Sequence, residues 1–269
     1  MDWKRLFDGL GMNGTRWQWR IMRWERNLKA MFKGEKVPGS GAVSLTPILI
    51  GINLVLFLLM TLHGLALGGG MRAMLNPPTQ LLLFWGGQFW PLVIEHQQWW
   101  RCLTYAFTHG GLMHIAFNMV VLYQVGPLIE AEIGKRRFIV LYTLTALTAT
   151  GLGYLWHPMT PVVGASGSLF GLIGFAVAYY HRMGPAGLEI RNFMFRWAVF
   201  AFIFGLVVGA DNAGHLGGAL GGAAFGLVLP LGVRGQRASA GLFNVLALFS
   251  AAGIAISLAL LGYSILTGI

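Results

Sequence analysis

The sequence predicts an all-α membrane protein: a short basic arm followed by a bundle of seven spanning helices. Three observations carry this. Of the 269 residues, 56% are hydrophobic and only 10% are charged, whereas soluble domains carry about 25% charged residues. Apolar runs near spanning length begin around Pro47, Leu112, Phe138, Gly164, Phe193, Ala213 and Leu242, and a span needs about 20 mostly apolar residues. The basic residues fall almost entirely in alternate connections between those runs.

Residues 1–41 form the arm. Trp17, Ile21, Trp24, Leu28, Met31 and Phe32 recur at helical spacing, with Arg23, Arg26, Lys29 and Lys33 roughly opposite. Such a basic amphipathic helix lies on an anionic cytoplasmic leaflet, or docks on a partner or on its own bundle. Pro38-Gly39-Ser40-Gly41 marks a linker. The first span begins too late and runs too long for a cleaved signal peptide, so it is read as retained. The connection over residues 69–101 is rich in Trp, Phe and Gly and nearly uncharged. It reads as a membrane-dipping loop with short helices. The single cysteine, Cys102, allows no intrachain disulfide. It reads as a small buried hydrophobe, with a reactive thiol as the other reading.

The net charge of +10 is no nucleic-acid footprint, because of where the charge sits. Nine of the 19 basic residues lie in the first 36 positions. Lys135, Arg136 and Arg137 separate spans two and three, Arg182, Arg191 and Arg196 separate spans four and five, and Arg234 and Arg237 separate spans six and seven. Arg72 and Arg101 alone fall in the other set of loops. By the positive-inside rule the N-terminus is cytoplasmic and the C-terminus outside. The expected partner is the bilayer, not nucleic acid.

That orientation places four polar residues at one depth. Spans two, four and six all run inward from the outer face. Ser166 lies near the outer end of span four, His215 near that of span six, and His114 and Asn118, on one helical face, near that of span two. Each is within about two turns of the boundary, roughly 10 Å at 1.5 Å per residue. The residue types suit acyl transfer. A serine hydroxyl becomes nucleophilic when a base takes its proton, and histidine is the usual base. Asn118 and His114, with the backbone N–H of Ser166, can donate to a tetrahedral oxyanion. Losing one such donor typically costs about 3–4 kcal/mol of transition-state stabilisation. Taken singly, each residue also has an ordinary packing or hydrogen-bonding explanation. The shared depth is what joins them.

Glycine spacing points the same way. Gly222 and Gly226 share nearly the same face as His215, with Gly218 close by, and Gly167 and Gly171 form a small-xxx-small pair on span four. Spans four and six are therefore expected to approach closely, in ordinary packing or in catalysis. Asp211 could lie above His215 but is read as the N-cap of span six. A Ser–His dyad is the economical assignment, with no metal and no cofactor.

These residues sit in motifs that resemble the rhomboid family of intramembrane serine proteases over most of residues 46–232. Trp100-Arg101 looks like the family's loop-one Trp-Arg motif. His109, His114 and Asn118 match its His/His/Asn pattern, and Glu130, Gly134, Arg137 and Phe138 fit its Glu-x-x-x-Gly-x-x-Arg-Phe turn. Gly164-Ala165-Ser166-Gly167 matches the nucleophile motif, and Gly214-His215-Leu216-Gly217-Gly218 the histidine motif. The resemblance implies a rhomboid-like six-helix catalytic bundle over 42–232, and a loop with one extra C-terminal transmembrane helix over 233–269. It implies Ser166 as nucleophile, His215 as general base, and His114 and Asn118 at the oxyanion hole. It makes His109 and Glu130 structural, although His109 alone also reads as a second base. Many relatives carry tyrosine where this chain has Phe170. The aromatic packing near the histidine is expected to persist without the hydroxyl.

The expected activity is hydrolysis of peptide bonds in single-span or other membrane-anchored proteins, in or near their membrane segments. Such a site must hold water below the headgroups. Trp197, Phe200, Phe202 and Phe204 of span five read either as a lateral lid or as a lipid-facing surface. The alternative function is a non-catalytic rhomboid-like protein that binds membrane clients. A transporter is disfavoured because no paired broken helices are present. With no organelle-targeting signal in view, the expected location is the bacterial inner membrane.

Overall fold

The computed structural model describes residues 44–208 and 210–268. The amphipathic arm expected over 1–41 lies outside the described residues. Helix α1 spans Leu45–Ala66. Four short helices follow, α2 (Arg72–Leu75), α3 (Thr79–Phe84), α4 (Trp90–Ile94) and α5 (Arg101–Thr104), then a 3-10 turn at Tyr105–Phe107. The remaining long helices are α6 (Leu112–Ile133), α7 (Lys135–Trp156), α8 (Ser166–Arg182), α9 (Leu188–Val208) and α10 (Asn212–Val228). A short α11 (Gly232–Ala238) then leads to α12 (Ala240–Thr267).

Each of the seven expected spans thus coincides with a long helix. Helices α1, α6, α7 and α12 are long and apolar enough to cross a membrane by length and composition alone. Helices α8 and α10 have 17 residues each, about 25 Å at 1.5 Å per residue, and α9 begins with charged residues. Among the described residues these three are not long and apolar enough by that measure. Among the described residues there is no strand, only an isolated antiparallel bridge between Gln88 and Val162. The protein is an all-α integral membrane protein.

Burial sets the layering. Helix α7 is 56% buried over its most apolar window and α12 only 22%, so α7 is central and α12 peripheral. The core is aromatic: Phe138 and Tyr142 of α7 and Phe175 and Tyr179 of α8 are fully buried. Helices α6 and α7 join through Gly134 alone, at φ +79°, a conformation that favours glycine. Glu130 near the end of α6 accepts from the N–H groups of Leu45 (2.7 Å) and Thr46 (3.0 Å) and from the Thr46 hydroxyl (2.9 Å). The carboxylate thereby caps the start of α1, where backbone donors have no helical acceptor.

Helices α8 and α10 meet through their glycines, as the spacing predicts. A Cβ at Gly218 would collide with the Gly167 carbonyl, and one at Gly222 with the Gly171 carbonyl. Gly226 lies against Phe175, where a Cβ would stand 2.7 Å from its carbonyl oxygen.

The loop between α1 and α6 is built around Arg101, which is only 4% exposed. Its guanidinium donates to the carbonyls of Leu83 (2.6 Å) and Gly87 (2.8 Å) and to the Gln98 side chain (2.6 Å). The Thr104 and Thr108 hydroxyls donate to the carbonyls of Gly86 and Trp85. Arg101 is thus the staple of that loop. Cys102 is free and half-buried.

On α9, Trp197 and Phe200 share a face and meet edge to face at 5.9 Å. Trp197 packs on the core, with its ring 6.5 Å from that of Phe117 on α6. Phe200 is 57% exposed.

Candidate active site

Three helices begin at the same end of the bundle and bring the site together. Ser166 is the first residue of α8, so its N–H has no intrahelical acceptor and sits at the positive end of the helix dipole. His215 lies in the first turn of α10, and His114 in the first turn of α6, with Asn118 one turn on.

The residues just before Ser166 are held individually. The Gly164 N–H donates to the Tyr105 carbonyl at 2.9 Å. The Ala165 N–H points to His109 Nε2 at 3.5 Å, and His109 is fully buried. Val162 exchanges two backbone hydrogen bonds with Gln88, at 2.8 and 2.9 Å. His109 therefore stands against the backbone beside Ser166. Two residues on, the Ser168 hydroxyl donates to the Tyr142 carbonyl at 2.9 Å and ties α8 to α7.

The Ser166 hydroxyl lies 2.9 Å from His215 Nε2. The other ring nitrogen, Nδ1, lies 3.2 Å from Asn212 Oδ1. An amide oxygen only accepts, so Nδ1 carries the proton and Nε2 is left to accept from the serine hydroxyl. The Phe170 ring stacks on the imidazole, with centroids 4.2 Å apart and planes 16° from parallel. Phenylalanine keeps the packing expected at that position. Asp211 makes no hydrogen bond to the His215 ring, whose nitrogens face Asn212 and Ser166. Its side chain accepts from the Gly214 N–H at 2.9 Å, the N-cap expected for α10.

His114 and Asn118 converge above the nucleophile turn. The Gly110 N–H donates to His114 Nδ1 at 3.2 Å, which in the neutral ring leaves the proton on Nε2. Asn118 is 1% exposed, and its Nδ2 has no hydrogen-bond partner among the described residues. Both groups stand against Gly164, whose φ is +119°. A Cβ there would be 2.6 Å from His114 Nε2 and 3.6 Å from Asn118 Nδ2. Two N–H donors thus face one glycine, two residues before the serine. A small cavity bordered by Tyr105, Val162, Gly164 and Asp211 holds Ser166 and His215 in its wall. Among the described residues no cluster of His, Cys, Asp and Glu could hold a metal.

Two contributors escaped the sequence reading. Asn212, three residues before His215, was legible in principle from helical spacing. His157 was not. It pairs with Asp211 at 2.8 Å across 54 residues, and its own motif carries no signal.

The family model for the Rhomboid domain matches residues 96–231. The chain is 30% identical over 230 residues to "Rhomboid protease GluP" of Bacillus subtilis, covering 80% of this chain and 43% of that protein. It is 29% identical over 148 residues to "Inactive RHOMBOID-like protein 8" of Arabidopsis thaliana, covering 54% of this chain and 42% of that one. Over 136 residues it is 30% identical to "Putative rhomboid protease YdcA" of Bacillus subtilis, covering 49% of this chain and 67% of the relative. The chain thus spans less than half the length of the first two.

Proposed function

The chain belongs to the rhomboid family, and on that premise we propose that it is a serine endopeptidase that hydrolyses membrane-anchored proteins in or near their transmembrane segments. The observation that carries the reading is the 2.9 Å approach of the Ser166 hydroxyl to His215 Nε2. It lies within the range expected of a nucleophile and its base. A relative named inactive shows that family membership alone does not make an enzyme, so the side chains have to carry the argument.

In the proposed mechanism Ser166 Oγ attacks the scissile carbonyl carbon while its proton passes to His215 Nε2. Asn212 keeps the proton on Nδ1 and so holds the imidazole in the accepting tautomer. The carbonyl oxygen, now negative, is met by the Ser166 N–H, His114 Nε2–H and Asn118 Nδ2–H. Preorganised donors of this kind usually supply the largest share of transition-state stabilisation. The proton on Nε2 moves to the leaving amine nitrogen as the C–N bond breaks. Water then gives its proton to Nε2 and attacks the acyl-enzyme, and the proton returns to Ser166 Oγ as the acid product leaves.

A substrate helix hides its carbonyls in hydrogen bonds, so the segment that reaches Ser166 has to unwind locally. Single-span proteins with small or helix-breaking residues near the cut are the substrates this site fits. We also propose the division into an arm (1–41), a catalytic core (42–232) and an added helix (233–269). The proposed setting is the bacterial inner membrane, with the N-terminus cytoplasmic and the C-terminus outside. C-terminal reporter fusions that are active only on the cytoplasmic side would reverse that topology.

The direct test is incubation of the purified protein with a panel of single-span substrates, with mass mapping of the cut ends and fluorophosphonate labelling in parallel. Wild type is expected to cleave and to label at Ser166, and Ser166→Ala to do neither while remaining folded. Cleavage that persists in purified Ser166→Ala rejects the nucleophile assignment. A wild-type chain that neither labels nor cleaves favours the client-binding alternative.

A further inference from the structure

We infer that His157 and Asp211 form a latch that positions the base-bearing helix α10 against the nucleophile, an inference that rests on the protease reading for its catalytic consequence. Three contacts meet at Asp211. Its Oδ1 lies 2.8 Å from His157 Nε2, the same oxygen accepts from the Gly214 N–H at 2.9 Å, and its carbonyl accepts from the His215 N–H at 3.0 Å. One residue therefore holds the amide of the base and that of its neighbour. His157 follows directly on the last residue of α7, where its own N–H is fixed to the Gly153 carbonyl at 2.8 Å. From His157 the chain runs through Val162 and Gly164, both pinned by backbone bonds, into Ser166. The pair is thus where the segment leading to the nucleophile touches the turn leading to the base. Asp211 also borders the cavity that Ser166 and His215 share.

Packing sets how close the helices come, and the pair adds direction at the base-bearing end. Glycines line α10 where it meets α8 and α7, Phe170 stacks on the His215 ring, and Phe225 of α10 meets Phe175 of α8 further along. The His215 ring stands off that axis, so a small rotation moves Nε2 away from Ser166. A misplacement of about 1 Å can cost about a hundredfold in rate. A directional hydrogen bond from the residue after α7 to the N-cap of α10 constrains that rotation at the base-bearing end. An ionised carboxylate only accepts, so His157 supplies the N–H. The side chains of His157 and Asp211 are 25% and 21% exposed, so the pair is partly open to its surroundings.

The test uses full-length protein in lipid nanodiscs, with two readouts: the rate of Ser166 labelling by a fluorophosphonate, and hydrogen–deuterium exchange of residues 212–218. His157→Phe keeps a flat ring and removes the N–H. It should slow labelling by about tenfold or more, lower kcat with KM for a single-span substrate unchanged, and raise exchange in 212–218 while α8 keeps its protection. Asp211→Ala should do the same, and Asp211→Asn, which keeps an acceptor oxygen, should recover most of the loss. The double variant His157→Phe/Asp211→Ala should be no worse than Asp211→Ala alone. Unchanged labelling and exchange in His157→Phe overturn the latch, and so do additive losses in the double variant. Should Asp211→Ala not fold, His157→Phe and Asp211→Asn decide by the same readouts. A wild type that never labels defeats the protease reading, while the exchange result still decides the latch.

Discussion

Asn118 lets activity be separated from stability. Its Nδ2 is buried and stands against Gly164 beside the nucleophile turn, where the proposed mechanism has it meet the oxyanion. Asn118→Ala is expected to reduce kcat by roughly 100- to 1,000-fold with little change in KM. The thermal midpoint should stay near the wild-type value. Steady-state cleavage and a melting curve check both halves, and a fall in stability that accounts for the lost rate would count against the oxyanion role. Gly164 is the complementary case. At φ +119° it has no room for a Cβ, which would stand 2.6 Å from His114 Nε2. Gly164→Ala is expected to push the imidazole off its position and slow acylation, read as a slower fluorophosphonate rate. Ser166, His215, His114 and Asn118 could be singled out in the sequence because each lies within the first two turns of an apolar run, and the structure sets them in the first two turns of α8, α10 and α6. Helical spacing puts Asn212 on the His215 side of α10, but that its amide oxygen faces Nδ1 needed coordinates.

Elements were legible where the signal is local, and lost where it is not. Helix starts at Leu45, Leu112, Ser166 and Asn212 fall within a few residues of the expected runs, because apolar length is a property of neighbouring residues. The glycine face of α10 was readable for the same reason, since spacings of four repeat along one helix. The bridge between Gln88 and Val162 was not, because those residues are 74 positions apart and neither is chemically marked. The glycine contact makes a sharp prediction at this scale. Gly222→Val places a branched side chain on the Gly171 carbonyl and should force α8 and α10 apart. Overpacking of this kind typically costs about 1–3 kcal/mol, and here it should also lengthen the Ser166–His215 approach. A lowered unfolding midpoint together with slower labelling is the expected pair of results. Gly151→Ala on α7, where a Cβ meets nothing within 4 Å, serves as the neutral comparison. Equal effects in the two variants would remove the special status of the α8–α10 seam.

At the scale of the whole molecule the outstanding element is α12, the helix added after the region matched by the family. Hydropathy and charge alternation announced it as a seventh span, but not its docking, because the face that packs, with Phe243, Ile254, Ser257, Leu261 and Ser264 buried, differs little in composition from the rest of the helix. What holds it is polar and aromatic at one end. The Arg137 guanidinium, at the start of α7, donates to the Gln236 carbonyl and, at 3.1 Å, to the Ser239 hydroxyl, and it lies 4.9 Å from the Phe243 ring centroid. Phe243 in turn meets Phe225 of α10 edge to face at 5.8 Å. Further along, Leu261 approaches Gly86, where a Cβ would lie 3.2 Å from it, and Gly253 faces Leu103. The added helix therefore braces both the centre of the bundle and the loop stapled by Arg101. None of these contacts includes a residue that the mechanism uses. The consequence is a separation of stability from chemistry. Arg137→Ala and Phe243→Ala should each lower the thermal midpoint, and the double variant should lose less than the two losses added, because the cation–π contact is shared and neighbouring residues couple by about 0.5–3 kcal/mol. In the same samples, below their unfolding transitions, kcat for a single-span substrate should stay near the wild-type value. A fall in kcat that outruns the loss of folded protein would show that α12 reaches the site through the Arg101 loop.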